Sequence, residues 1–327
     1  MRLALLEPAG LHAPGARERL VARLRERLPD WQIDAWADGE QPPADYPWDE
    51  VRAATCFDLD GEQANRMTGL QLLQSVTTGV ERLPVAESAA RGVAVCNAAG
   101  TAAREIAEFV IARVLADAKR LGELAAAQRE RRWLAGYGEA AHGAELVLIG
   151  FGPICQRIAG LAAGLGMTVR VVRRTPGPRP GDGVVEEVAF AELPRLLGEA
   201  RYVVSAVPET PETIGLFDAE LLARIADGAL LVNVGRGSLV DEPALVAECR
   251  SGRLRAALDV VAVEPLPADS DLWAVPGLEI SGHCASVPTR ALAAVGELFL
   301  DNVLRLQAGE SLRNQIAGPT GDEKESP

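Results

Sequence analysis

Short β-branched and leucine-rich runs alternate along this chain with longer stretches in which apolar residues recur every three or four positions. That rhythm predicts strand–helix–strand units, and hence parallel sheets covered by helices on both faces. In the first part the pattern predicts strands at Leu3–Leu6, Ile33–Trp36, Ala53–Phe57, Leu72–Val76 and Val93–Cys96, and a helix at Ala16–Leu28 with Leu20, Leu24 and Leu28 on one stripe. Pro42, Pro43 and Pro47 make Gln41–Pro47 a loop. Thr101–Gly122 has helical spacing and no proline, which predicts one long helix with Thr101 at its N-cap, and Gly122–Gly143 reads as irregular. A second series of strands follows at Leu146–Ile149, Thr168–Val172, Val184–Val188, Tyr202–Ala206, Ala229–Asn233, Arg255–Leu258 and Leu278–Ser281. Strands alternating with helices in this way predict a doubly wound domain. A last helix is expected at Pro288–Gln307, and Gly318–Pro327 reads as a disordered tail. No repeat of fixed period is visible.

Composition narrows the picture. A length of 327 residues suggests two domains, and 48% hydrophobic with 24% charged residues is a globular balance. Lys and Arg number 33 against 46 Asp and Glu, a net charge of −13, which argues against nucleic acid and anionic membrane surfaces as partners. No apolar run is long enough for a membrane span, and the first strand meets Glu7 and Pro8 too early for a signal peptide. Cys56, Cys96, Cys155, Cys249 and Cys284 are scattered and odd in number, so neither a disulfide framework nor a structural zinc site is expected and a reducing cytoplasm is the default. With only His12, His142 and His283, a multi-histidine metal centre is excluded and no metal is expected.

The first candidate chemistry lies at Val147-Leu148-Ile149-Gly150-Phe151-Gly152-Pro153-Ile154-Cys155. An apolar strand runs into Gly-x-Gly and then a helix, on which Ile154, Ile158 and Leu161 are expected to face inward. Gly150 permits the tight turn, and Gly152 lets the backbone approach a pyrophosphate seated on the helix N-terminus. Pro153 suits the first turn, where its missing N–H is not needed. Cys155 stands where the fingerprint has its third glycine. The next strand ends in Arg173-Arg174-Thr175, where a ribose-binding acid is expected; arginines there would attract a 2′-phosphate, so NADP is favoured and NAD is possible.

Three further segments place polar residues just after strands of the second series, the edge at which open α/β sheets bind ligands. They are Asn233-Val234-Gly235-Arg236-Gly237, Asp259 with Glu264-Pro265-Leu266-Pro267, and Ser281-Gly282-His283-Cys284-Ala285-Ser286. An arginine between glycines is free to point into a cleft and suits a carboxylate beside a carbonyl. A histidine is the usual acid–base group near neutral pH, and a glutamate on its other nitrogen would fix the tautomer. Together these residues form a candidate catalytic set.

With Val207-Pro208-Glu209-Thr210-Pro211-Glu212-Thr213 added, the order and spacing of these motifs resemble the D-isomer-specific 2-hydroxyacid dehydrogenase family over nearly the whole chain. The resemblance implies two doubly wound parallel-sheet α/β domains, a Rossmann nucleotide domain (99–287) inserted into a flavodoxin-like substrate domain (1–98 with 288–327). It implies dimerisation through the nucleotide domain and an active site in a cleft that closes on substrate. Arg236 would bind the substrate carboxylate and carbonyl, His283 would protonate the carbonyl oxygen, and Glu264 would orient His283. Thr78, Gly79 and Val80 match the family's carboxylate-binding turn. Gly150, Phe151, Gly152, Pro153, Ile154, Arg173, Arg174, Thr175, Val207, Pro208, Thr213, Val234, Gly235 and Asp259 would serve the cofactor, as would Thr101. Ser281-Gly282 before His283, and Glu81-Arg82 after the carboxylate turn, depart from the family pattern. The activity implied is reduction of a small 2-keto acid of the glyoxylate or hydroxypyruvate type. A dinucleotide-sensing interaction protein and a dehydrogenase of a phosphorylated 2-hydroxy acid are the alternatives.

Overall fold

The computed structural model describes all residues except 8–13, 37–39, 41, 178–181, 287 and 320–327, with 288 and 289 described for their backbone alone. His12, Gln41 and the tail beyond residue 319 therefore lie outside the described residues. The chain divides into two compact units, Met1–Ala102 with Val287–Pro327, and Ala103–Ser286.

The first unit contains β1 (Arg2–Leu5), α1 (Ala16–Arg27), β2 (Gln32–Ala35), β3 (Val51–Cys56), α2 (Gly61–Arg66), β4 (Leu72–Ser75), α3 (Val85–Ala90) and β5 (Ala94–Cys96). The second contains α4 (Ala103–Ala118), α5 (Leu121–Arg129), β6 (Glu145–Ile149), α6 (Pro153–Gly164), β7 (Thr168–Val172), β8 (Glu186–Val188) and α7 (Leu193–Leu197). It continues through β9 (Tyr202–Ser205), α8 (Ala219–Arg224), β10 (Leu230–Asn233), α9 (Glu242–Arg250), β11 (Arg255–Leu258) and β12 (Leu278–Ile280). The chain then returns to the first unit with α10 (Pro288–Ala308) and β13 (Gln315–Ala317).

In the first unit the sheet order is β13-β5-β4-β3-β1-β2, the flavodoxin-like arrangement with an added edge strand. Alternation along β1 sends Leu3 and Leu5 to one face, with Leu24, Ile33 and Phe299, and Ala4 to the other, with Ala54, Leu73 and Val95. The edge strand β13 pairs antiparallel with β5, which the sequence pattern did not predict. Its three half-buried residues are too few to show a period.

In the second unit the order is β12-β11-β10-β9-β6-β7-β8, all parallel. Chain direction across the sheet reverses between β6 and β9, the switch point at which doubly wound sheets bind nucleotides. Val147 and Ile149 of β6 pack with Leu231 and Leu258 on one face, and Leu146 and Leu148 pack with Val110, Ile158 and Val204 on the other. Both faces are therefore dry, which is why these strands read as continuous apolar runs.

Several sequence expectations fail locally. The run Thr101–Gly122 is not one helix: α4 stops at Ala118, Arg120 turns left-handed (φ 53°), and α5 occupies Leu121–Arg129, which was expected to be irregular. The cause is tertiary, because the returning chain at Glu139 donates its N–H to the Ala118 carbonyl (2.7 Å) and closes the helix end. Thr101 is not seen as the N-cap acceptor; its hydroxyl donates back to the Ala98 carbonyl (2.8 Å). On α6 the inward face is Cys155, Ile158, Ala159 and Ala162, whereas Leu161 is exposed. Small side chains on that face let α6 lie close to α4.

Candidate active site

The phosphate turn is built as its glycines require. Gly150 lies at φ 91°, and a Cβ there would come within 2.8 Å of Val207 Cγ1, so both backbone angle and space forbid a side chain. Val207, 8% exposed, is thus a wall of the turn at the switch point. A Cβ on Gly152, the N-cap of α6, would meet nothing within 4 Å, so the protein leaves this position open. Pro153 is the first helical residue, as expected, and Ile154 is half-buried beside it. The third-glycine position accommodates Cys155: the thiol is buried, lies 3.7 Å from the Ile149 carbonyl, and is pushed up to about 12 by burial. These residues fit a dinucleotide pyrophosphate.

At the end of β7 the two arginines differ. Arg173 is ion-paired to Glu187 of β8 (3.1 Å) and lies over the Phe151 ring (5.7 Å). Glu187, with a side chain only 3% exposed, also accepts the Gly177 N–H (3.0 Å). Arg174 and Thr175 are exposed. Nothing in the strand pattern marks Glu187, because its partner is reached across the sheet. Thr213 is buried, and its hydroxyl donates to the Pro208 carbonyl and accepts from Thr210 N–H (2.7 and 2.8 Å). It staples its own loop and leaves Pro208 exposed.

Beyond β10, Val234 N–H makes a last sheet bond to Ser205 (3.0 Å) and the chain turns. Asn233, completely buried, accepts the Gly235 N–H (3.0 Å) and donates to the Arg236 carbonyl (2.8 Å). The glycines around Arg236 are there for crowding rather than freedom. A Cβ on Gly235 would lie 2.6 Å from the Val207 carbonyl, and one on Gly237 2.0 Å from the Val261 backbone. Arg236 is half-buried, with Nη1 donating to the Gly235 carbonyl (2.9 Å).

Asp259 and His283 follow the neighbouring strands β11 and β12. Asp259 donates its N–H to the Asn233 carbonyl (3.0 Å), and His283 donates its N–H to the Asp259 carbonyl (2.8 Å). The Asp259 carboxylate, 3% exposed, accepts from Ser281 Oγ (2.7 Å), Cys284 N–H (3.0 Å) and Ala285 N–H (2.9 Å). It therefore holds the loop that carries His283. His283 adopts φ 52°, unusual for a side-chain-bearing residue, and its Nδ1 meets Glu264 Oε2 at 2.8 Å. The other oxygen, Glu264 Oε1, accepts the Val261 N–H (3.1 Å), so the carboxylate is fixed at both ends. The imidazole is about half exposed, with Nε2 left for chemistry.

In the first unit, the turn after β4 has its carbonyls engaged. Asn97 Nδ2 donates to Thr78 (3.1 Å), Thr77 Oγ1 to Gly79 (2.7 Å) and Leu83 N–H to Val80 (3.0 Å). The described residues supply no acceptor to the N–H groups of Gly79 and Val80, so this turn presents amides, as an anion site requires.

A dinucleotide turn, an arginine and a glutamate-paired histidine on one edge of a Rossmann sheet define a nicotinamide-dependent dehydrogenase. The comparisons narrow this further: residues 111–285 match the family model described as "D-isomer specific 2-hydroxyacid dehydrogenase, NAD binding domain", and the chain belongs to that family. It is similar to a solved D-isomer specific 2-hydroxyacid dehydrogenase of Xanthobacter autotrophicus Py2 in complex with NADPH and MES (31% identity, 96% of this chain and 97% of that one, TM-score 0.80). It is 28% identical to the glyoxylate reductase of Thermococcus gammatolerans over 90% of this chain and 91% of that one. It is also 28% identical to glyoxylate/hydroxypyruvate reductase A of Serratia proteamaculans, over 90% and 93%.

Proposed function

We propose that this protein is an NADPH-preferring reductase of small 2-keto acids, forming D-2-hydroxy acids reversibly, with glyoxylate and hydroxypyruvate as the model substrates. The carrying observation is the 2.8 Å contact between His283 Nδ1 and Glu264, on the sheet edge that also holds Arg236 and the phosphate turn. Two of the relatives above, by their names, reduce glyoxylate or hydroxypyruvate. We assign Ala103–Ser286 as the dinucleotide-binding domain and the remainder as the substrate domain.

When bound, the nicotinamide supplies the hydride. Arg236 holds the substrate carboxylate and carbonyl with its planar fork, and in the substrate domain Thr78 with the Gly79 and Val80 amides is assigned as an anion-binding turn. His283, protonated, donates from Nε2 to the carbonyl oxygen as negative charge develops there, and reclaims the proton in the reverse direction. Glu264 holds the imidazole by Nδ1 and stabilises its charge. The pyrophosphate is assigned to the turn Gly150–Ile154, the 2′-phosphate to Arg174 and Thr175 with Arg173 behind them, and the nicotinamide side to Val234 and Gly235. Asp259 acts there through the loop of His283.

A homodimer formed by the nucleotide domain is part of the proposal, supported by Trp133 and Tyr137, each 94% exposed on a segment without regular structure. Among the described residues no helix is long and apolar enough to cross a membrane. All five cysteines are free thiols, which favours the cytoplasm as the setting. The test is consumption of NADPH by purified protein with a panel of 2-keto acids. Turnover of glyoxylate or hydroxypyruvate to the D-product supports the reading. Cofactor binding with no keto acid reduced at any pH supports a dinucleotide sensor instead.

A further inference from the structure

Arg236 lies beyond the last hydrogen bond of β10, so the sheet does not hold the turn that carries it. The Leu239 N–H reaches the Arg236 carbonyl only at 3.3 Å, and the shorter bonds come from one side chain. The Asn233 amide offers an acceptor to the Gly235 N–H and a donor to the Arg236 carbonyl at the same time, at 3.0 and 2.8 Å, and is wholly buried. Between those two bonds lies the Gly235–Arg236 peptide, whose carbonyl receives Arg236 Nη1 at 2.9 Å. The clamp therefore sets the plane of the peptide that the guanidinium leans on. Asn233 is tied in turn to the His283 side of the site, because its own carbonyl accepts the Asp259 N–H (3.0 Å), and Asp259 gathers the 281–285 loop.

From this geometry we infer that Asn233 is a positioning residue for substrate recognition, acting through Arg236. The inference rests on the functional reading given above. No other side chain supplies the same pair: aspartate would turn a second oxygen toward the Arg236 carbonyl, alanine would leave the Gly235 N–H unsatisfied and the Arg236 carbonyl with only the longer Leu239 N–H bond (3.3 Å), and glutamine is one methylene too long. Misaiming the guanidinium affects the group that holds the carboxylate.

The experiment is steady-state kinetics of the full chain with NADPH and glyoxylate for Asn233→Asp and Asn233→Ser, the second retaining an acceptor for Gly235. The expected result is a tenfold or greater rise in KM for the keto acid, several-fold larger than any rise in KM for NADPH. In an Arg236→Ala background, Asn233→Asp should then add less than twofold to the keto-acid KM. A folded variant, judged by circular dichroism, with an unchanged keto-acid KM overturns the inference, as does an equal rise in both KM values or full additivity with Arg236→Ala. If Asn233→Asp does not fold, Asn233→Ser decides by the same criteria. Wild-type protein that reduces no 2-keto acid refutes the functional reading and this inference with it.

Discussion

Glu264 Oε2 and His283 Nδ1 lie 2.8 Å apart although 19 positions separate them in the chain. Neither is held by the other alone: Glu264 is anchored at the Val261 N–H, and His283 is anchored through its backbone to Asp259. The imidazole thus arrives at the site with its orientation determined from two strands.

His283→Ala should lower kcat for keto-acid reduction by about 10²–10⁴-fold, the usual worth of a positioned acid–base group. Glu264→Gln keeps a hydrogen-bond partner but loses the charge, so a smaller loss in kcat is expected. Steady-state rates at saturating NADPH read both. Full turnover by His283→Ala would remove it as proton donor.

Replacing both Arg173 and Arg174 by alanine should weaken NADPH binding by 10- to 100-fold, taking about 1.5–3 kcal/mol for charge-assisted bonds, and leave NADH nearly unchanged. Fluorescence titration with each cofactor separates the two. Equal losses for NADH and NADPH would refute the 2′-phosphate assignment.

Burial raises the Cys155 thiol from 9.0 to about 12 in the native protein. Below pH 9 the thiol is neutral both folded and unfolded, so it contributes no pH dependence. Above that the unfolded chain releases the proton and the native protein does not, so stability falls as pH rises from about 9 toward 12. Cys155→Ala should flatten this alkaline decline in chemical-denaturation curves. The exposed Cys284 should alkylate in the native state while Cys155 resists; rapid native labelling of Cys155, read by mass spectrometry, would contradict its burial.

Trp133→Ser combined with Tyr137→Ser should shift the light-scattering mass from that of a dimer to that of a single chain. These aromatics contribute little to their own subunit's core, being 94% exposed, so thermal stability at low concentration should change little. A wild type that is monomeric at all concentrations refutes the dimer.

How legible each part was follows from how local its cause is. The strands Thr168–Val172 and Arg255–Leu258 read correctly to the residue, since the apolar runs end where polar residues begin. The Gly150–Pro153 turn was legible because its glycines answer a backbone angle and a close wall within one strand–turn–helix unit. The break at Arg120 was not, because the Glu139 N–H that closes α4 comes from a loop about 20 residues further on.

Alternating apolar runs and a few motif residues were enough to specify two parallel-sheet units and the kinds of chemistry available: an arginine, a histidine, a carboxylate and a phosphate turn. Those depend on propensities and periods that act over a handful of positions. Whether Arg173 stands free or is held by Glu187, and whether Asp259 meets a ligand or its own protein's loop, were decided only by packing. Each is a contact between strands that adjoin in the sheet but not in the chain, and hydrogen-bond partners for buried groups are assigned only once the sheet has closed around them.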